Sequence, residues 1–162
     1  MKQYKVLFLL FVLLLAGCSS TKENTEENKW FDSEEKAIEY GVKSENVGKN
    51  DILEKIDLDG EKIIVFRFTE SAGEGICIAN IIHKDNKYQW SREFQHIILK
   101  SEKSNIGNLD VSAKFKTPQG KKYKLYIGVA DKPNFTFETD EGLDTTPTID
   151  EKTKMYYYIM AE

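Results

Sequence analysis

The chain has 162 residues, a formal net charge of −4, and 27 acidic against 23 basic side chains. This balance argues against nucleic acid as a partner, because phosphate binding needs a concentrated basic surface. The only two histidines, His83 and His96, are not at metal-ligand spacing and have no cysteine partner, so the sequence predicts neither a metal site nor a cofactor.

The start of the chain predicts a signal peptide. Lys2 and Lys5 form a positively charged head, and residues 6–15 are an unbroken apolar run. As a helix, a run of this length rises only about 15 Å, half of a bilayer core of roughly 30 Å. The segment is therefore too short for a stable membrane span and has the usual length of a signal-peptide core.

The end of this run resembles the lipobox of bacterial lipoproteins, in which Leu, a small residue, Gly or Ala, and Cys follow one another. Leu15, Ala16, Gly17 and Cys18 match all four positions. The resemblance implies that residues 1–17 are removed as a signal peptide and that the thiol of the cysteine receives a diacylglycerol. It also implies lipid anchoring at the extracytoplasmic face of the cell membrane, with the membrane as a partner. The alternative is an ordinary secretory signal peptide with an incidental cysteine.

Residues 18–29 predict a lipidated cysteine followed by a flexible tether. From residue 19 to residue 29 there is no apolar side chain, so this stretch has no surface to bury that would offset the entropy of ordering it. The remaining residues, 30–162, have the size of a single globular domain. Cys77 is the only other cysteine, so the domain is predicted to fold without an intrachain disulfide.

Residues 31–42 predict a helix at the start of this domain. Asp32 is the predicted N-cap, and Glu35 follows three positions later in the capping-box arrangement. Ala37 and Ile38 belong to the apolar stripe that such a helix turns towards a core.

The rest of the domain has the pattern of strands. Residues 52–68 predict a hairpin around an Asp-Gly turn at residues 59–60, and residues 75–83 are apolar on both faces, as in a central strand covered on both sides. Residues 109–130 alternate apolar and polar side chains around a turn. Further strands are predicted in residues 88–99, 134–139 and 154–160. The predicted fold class is α+β: one N-terminal helix followed by an antiparallel, mainly-β domain of about eight strands.

The domain is also similar to small lipoproteins of Bacillus and its relatives, to which no activity is assigned. The similarity rests on the helix "SEEKAIEYGVK", the strand "GEKIIVFRF" and the stretch "DNKYQWSRE". The Lys-, Glu- and Ile-rich composition is consistent with a Gram-positive source. This similarity implies a location for the protein and no reaction.

Several stretches combine a ligand-binding interpretation with a plain structural one. Residues 57–61 place acids before a glycine, as calcium loops do, but an apolar strand follows at once, so a hairpin turn is predicted. The loop 140–151 holds five acids, which suits either weak calcium binding or a solvated acidic loop that faces basic side chains. The glycine-containing residues 70–75 are predicted to form a flexible connection. Cys77 lies among apolar residues of a central strand, so its thiol is predicted to be buried and inert.

The hairpin at residues 109–130 also carries a row of basic side chains. Lys114, Lys116, Lys122 and Lys124 all fall on the side opposite the apolar one. This surface is either a solvated sheet face or one that leans on an anionic membrane.

The stretch "YQWSREFQHIIL" supplies the predicted binding residues. Alternation places Trp90 and Arg92 on one side, and aromatic residues and arginine are enriched where proteins bind partners. The alternative is that the rings of this stretch form a core layer.

The sequence contains no recognisable catalytic motif, and no catalytic residue is predicted. The leading hypothesis is a lipid-anchored, extracytoplasmic, non-enzymatic module that binds an envelope protein or a cell-wall partner, or that supports the envelope. One alternative is an enzyme that acts on the cell wall with acids carried on loops such as residues 140–144. Another is a structural spacer without a ligand.

Overall fold

The computed structural model describes residues 29–92, 94–100 and 110–162. Within these ranges the protein has one α-helix and twelve strands, of which eight have four or more residues, and every strand pair is antiparallel. The architecture is therefore mainly antiparallel β with one helix. The predicted signal peptide, the lipobox with Cys18 and all but the last residue of the predicted tether lie outside the described residues.

The elements follow one another along the chain, with the helix α1 after the first short strand. Their bounds are β1 Trp30–Phe31, α1 Glu34–Ser44, a 3-10 turn at Lys49–Asp51, β2 Ile52–Leu58, β3 Glu61–Glu70, β4 Gly73–Lys84, β5 Lys87–Ser91, β6 Ile97–Lys100, β7 Val111–Lys116, β8 Lys122–Val129, β9 Phe137–Glu138, β10 Asp144–Thr145, β11 Thr148–Ile149 and β12 Met155–Ala161.

The strands form two larger sheets and a short hairpin. The first sheet has the order β1-β5-β4-β3-β2, and β6 also pairs with β4. Strand β4 has twelve residues, so its first part pairs with β6 and its second part pairs with β5 along the same edge. The second sheet has the order β11-β12-β8-β7, and β9 pairs with β10 as a separate hairpin.

Tight turns join the central strands of the first sheet. Asp59 and Gly60 both have positive φ, as do Asp85 and Asn86, which is the geometry of two-residue type I′ turns. The predicted hairpin at residues 59–60 is confirmed. The flexible connection predicted for residues 70–75 is wrong, because Glu70 pairs with Gly73 and leaves only a two-residue turn between β3 and β4.

The N-cap of helix α1 lies one residue later than predicted. Ser33 has extended backbone geometry, and its hydroxyl accepts a hydrogen bond from the Lys36 N–H at 3.3 Å, so Ser33 is the N-cap. The predicted cap, Asp32, forms an ion pair with Lys87 at the start of β5 instead. Of the two side chains that could cap the helix, Asp32 therefore pairs with a distant lysine and Ser33 forms the cap.

Helix α1 covers one face of the first sheet. Its buried residues Ala37, Ile38 and Val42 pack on the sheet, together with a layer of side chains from β3, β4 and β5. That layer consists of Ile64, Phe66, Phe68, Cys77, Ala79, Ile81 and Trp90.

The other face of the first sheet packs against the second sheet. Strand β3 supplies Ile63 and Val65, and β4 supplies Ile76 and Ile78. Leu99, Leu125, Ile127, Met155 and Tyr157 complete this second core. The prediction of a central strand covered on both sides is confirmed for β4, because successive side chains point alternately into the two cores.

Candidate functional site

Trp90 and Arg92, the predicted binding residues, do not form a common surface. Trp90 is 9% exposed and lies under α1, so close that a Cβ on Gly41 would come within 2.0 Å of its ring. This is the core position that the alternative interpretation predicted. Arg92 is exposed, and its Nε donates to Glu45 at 2.7 Å. Burial removes Trp90 from the surface that a partner meets, and a binding role for Arg92 stays a prediction.

Arg92 belongs to a charged cluster at the end of α1. The Glu45 carboxylate, with a side chain 8% exposed, accepts from Arg92 and lies 3.4 Å from Nε2 of His96. The Nδ1 atom of His96 lies 2.6 Å from Glu70, and its ring stacks on Phe68 at 4.1 Å. These contacts join the helix to the β3–β4 hairpin, so the cluster has a structural role.

Cys77 is fully buried between β3 and the loop after β5. Burial raises the pKa of its thiol to about 12, so the thiol stays protonated at neutral pH. Its Sγ lies 3.7 Å from the carbonyl oxygen of Phe94. The prediction of a buried thiol is confirmed, and its protonated state is that of an unreactive cysteine.

The acidic loop 140–151 faces basic side chains. Lys124 and the Tyr126 hydroxyl both donate to the carboxylate of Asp140, and Arg67 donates to Asp150 at 3.1 Å. Among the described residues, no group of three or more histidine, cysteine or acidic side chains is placed to hold a metal ion. The described geometry of the loop thus matches the alternative in which its acids pair with bases.

The four lysines of the β7–β8 hairpin share the outer face of the second sheet, as their cross-strand register shows. Two of the four are neutralised by acids, because Lys114 pairs with Glu162 and Lys124 pairs with Asp140. Lys116 and Lys122 lie opposite each other and remain exposed.

A cleft of about 490 Å³ opens on the same outer face. We call it the aromatic cleft. Three rings and three polar side chains define its character: Tyr126, Phe137, Tyr156, Asp110, Ser112 and Asp140.

The β9 segment builds the aromatic cleft by folding over the second sheet. The ring of Phe137 lies 5.3 Å from that of Tyr126 and 5.5 Å from that of Tyr156. Gly128, directly opposite Tyr156 in the register, leaves room for this packing. A Cβ on Gly128 would lie 2.3 Å from the Asp110 carboxylate and 2.7 Å from the Tyr156 ring. Glycine at this position therefore lets an acid and a ring meet in the cleft.

Hydrogen bonds set the charge of the aromatic cleft. The Tyr156 hydroxyl donates to Asp110 at 3.1 Å, and burial together with that carboxylate raises the pKa of Tyr156, which keeps the hydroxyl protonated. Hydrogen bonds from Lys124 and then Tyr126 lower the pKa of Asp140, which keeps its carboxylate ionised. The cleft therefore places carboxylate acceptors beside aromatic edges, an arrangement that suits a ligand with hydroxyl or amine donors.

The sequence predicted Asp140 as a loop acid but did not predict that the rings and Asp110 form a site with it. Tyr126 and Tyr156 fall where strand alternation predicts an outward, polar side chain, and large aromatic rings at outward positions were the available indication. No sequence pattern indicated Asp110 and Phe137, because they lie at the ends of different strands that meet only in the fold.

Comparisons of the chain with protein-family models, with curated proteins and with solved structures find no match. In the part of the chain that the structure describes, the helix is neither long enough nor apolar enough to cross a membrane.

Proposed function

We propose that the chain is a lipid-anchored, extracytoplasmic protein that binds a ligand or an envelope partner without catalysing a reaction. The observation that carries the proposal is the run Leu15-Ala16-Gly17-Cys18 behind an apolar segment of signal-peptide length. Cys18 is the lipid attachment site, and its lipid makes the membrane a partner. In the mature protein, α1 is the first helix after the tether and the strands complete the domain 30–162.

The aromatic cleft supports binding as the activity of this domain. Clefts that bind small ligands combine apolar or aromatic walls with a few fixed polar groups. Here Tyr126, Phe137 and Tyr156 supply the walls, while Asp110 and Asp140 supply acceptors that tyrosine hydroxyls hold in place.

The alternative is an enzyme that acts on the cell wall. One observation favours it, because Asp110 and Asp140 line the same cleft, and many glycoside hydrolases use a pair of carboxyl groups. Such an enzyme needs one carboxyl group with a raised pKa as general acid. The pKa of Asp140 is lowered, which is the opposite direction, so Asp140 is unsuited to the role of the general acid.

The anchor is tested by Cys18→Ala in the full chain expressed in a bacterium with lipoprotein processing. We expect the variant to lack the lipid mass and to keep its signal peptide, which the intact mass of the protein measures. Cys77→Ala is the matched control, because it removes the other cysteine and should be processed and anchored normally. A mature, membrane-bound Cys18→Ala protein would contradict the anchor.

The cleft is tested by photocrosslinking in intact cells. A crosslinking residue replaces Glu138, which is exposed beside the aromatic cleft, or Asp57, an exposed acid on β2, as a matched control. We expect adducts from position 138 that weaken when Asp110→Asn is added. Equal adducts from both positions would contradict binding at the cleft, and no adducts from either position would favour the structural spacer.

A further inference from the structure

A buried asparagine lies between the two sheets. Strand β4 directs Ile76 and Ile78 into the core shared with the second sheet, and alternation places Asn80 on the same face. Asn80 is 4% exposed, and its Oδ1 has no hydrogen-bond partner among the described residues. An unpaired polar atom in such a place is costly, so it calls for a partner that the described residues do not supply.

Asn80 lines a cavity of about 230 Å³ between the sheets. Ile78, Phe94 and Phe115 form its apolar walls, and the two phenylalanine rings meet edge to face with centroids 6.2 Å apart. This volume is below the usual range of roughly 300–1,000 Å³ for drug-sized ligands, so the cavity suits a smaller molecule.

Strand β7, an edge strand of the second sheet, places positive charge at the same cavity. Although Lys114 and Lys116 alternate onto the outer face of that sheet, both border the cavity, and Lys114 is paired with Glu162. The Lys116 side chain has no hydrogen bond or ion pair with any other part of the chain that the structure describes. Among the described residues, no acid neutralises the Lys116 ammonium group, which leaves it to a ligand of this cavity.

We propose that this cavity binds a small organic acid with an apolar body and a hydrogen-bond donor. The carboxylate pairs with Lys116, the apolar body lies against Phe94 and Phe115, and the donor satisfies Oδ1 of Asn80. The three features that define the ligand occur together in one cavity: a cation, an apolar wall and an unpaired acceptor. This site is separate from the aromatic cleft, whose acids and rings differ from it in charge and in lining.

Three related compounds test each feature of the ligand by titration of the purified full chain. The compound 4-hydroxybenzoate has the acid, the ring and the donor; benzoate lacks the donor; and 4-hydroxybenzylamine reverses the charge. We expect saturable binding of 4-hydroxybenzoate to one site, followed by calorimetry and by NMR. Benzoate should bind roughly three- to tenfold more weakly, the range for one net hydrogen bond, and the amine should not bind.

Two variants assign the binding to the cavity. Asn80→Leu should fold, because it removes an unpaired polar atom, and it should bind 4-hydroxybenzoate no better than benzoate. Lys116→Gln should weaken both acids to the same extent, and Lys122→Gln, its exposed cross-strand neighbour, is the matched control that should leave both unchanged. If Asn80→Leu does not fold, the comparison of Lys116→Gln with Lys122→Gln and the comparison of the three compounds still test the proposal.

The proposal is overturned if no compound gives saturable binding at millimolar concentration. It is also overturned if the amine binds as tightly as the acid, or if Lys122→Gln weakens binding as much as Lys116→Gln. These outcomes are independent of Cys18 and of the aromatic cleft, because the titration measures the purified chain away from the membrane.

Discussion

The first sheet buries apolar side chains on both faces, whereas the second sheet buries one face and exposes the outer side chains of its edge strand β7. In β3, Phe66 packs under α1 while its neighbour Val65 packs towards the second sheet. In β7, Phe115 packs towards the first sheet while its neighbours Lys114 and Lys116 are exposed. The number of layers around a sheet thus determines whether its strands are continuously apolar or alternate. It also determines where polar groups can gather, and the aromatic cleft lies on the less covered face.

The largest effect is expected on the fully covered face. Trp90→Ala should lower the free energy of unfolding by about 3–5 kcal/mol, because it leaves a cavity beneath α1. Trp30→Ala is the matched control, since Trp30 is 40% exposed and surface substitutions usually change stability by less than about 0.5 kcal/mol. Urea unfolding of both variants measures the difference. If both variants lost similarly little unfolding free energy, Trp90 would not be a core residue and a binding role for it would again be supported.

Gly41 sharpens the same comparison at the contact between helix and sheet. Gly41→Ala adds a methyl group that would meet the Trp90 ring at 2.0 Å, so α1 must shift. We expect a loss of roughly 1–3 kcal/mol from overpacking, although alanine is the better helix former by about 1 kcal/mol. Lys43→Ala, on the exposed side of α1, should be nearly neutral.

A double variant checks that the clash with Trp90 is the cause. Gly41→Ala combined with Trp90→Leu should lose less stability than the sum of the two single variants, because the smaller side chain makes room for the methyl group. Additive losses would show that Gly41 is required for another reason.

A polar pair at the junction of the two sheets should have an intermediate effect. The Thr117 hydroxyl donates to Glu61 at 2.6 Å, and both residues are buried. Thr117→Val leaves the carboxylate without this donor and should cost about 1–3 kcal/mol in unfolding experiments. Thr117→Ser retains the hydroxyl and should cost clearly less. A Thr117→Val protein as stable as Thr117→Ser would show that the pair contributes nothing.

The smallest effect is expected on the outer face of the second sheet, and it should depend on pH. The pKa of Asp140 is lowered by its hydrogen bonds from Lys124 and Tyr126, so its ionised form stabilises the folded state. That stabilisation is fully present above the unfolded pKa of about 4 and is lost as the pH falls through the lower folded pKa. Because the carboxylate is exposed, water screens it and the effect should be small.

The measurement compares wild type with Asp140→Asn by thermal unfolding at pH 6 and at about pH 2. Wild type should be slightly more stable at the higher pH, and the difference should shrink at the lower pH. Glu141→Asn, at the neighbouring exposed acid, is the control that should show no such trend. A difference that grows on acidification would contradict the assigned sign.

Local features of the fold were predictable from the sequence. The Asp-Gly turn at residues 59–60, the doubly apolar strand β4 and the alternating hairpin β7–β8 all appear as predicted. Each depends on neighbouring residues alone, through turn geometry or through the two-residue period of a strand. The predicted N-cap was one residue too early. Ser33 caps the helix, whereas Asp32 pairs with a distant lysine on β5.

Sites that depend on contacts between distant segments could not be predicted in the same way. The alternation of the sequence places Trp90 and Arg92 on one side of their stretch. In the fold, α1 packs on that side, so the Trp90 ring is buried while Arg92 stays at the surface. The aromatic cleft joins Asp110 to Phe137 and Tyr156, and the inter-sheet cavity joins Asn80 to Phe115. Sequence patterns fix which side of a strand each residue faces, whereas packing between layers fixes what lies opposite, and a binding site needs both.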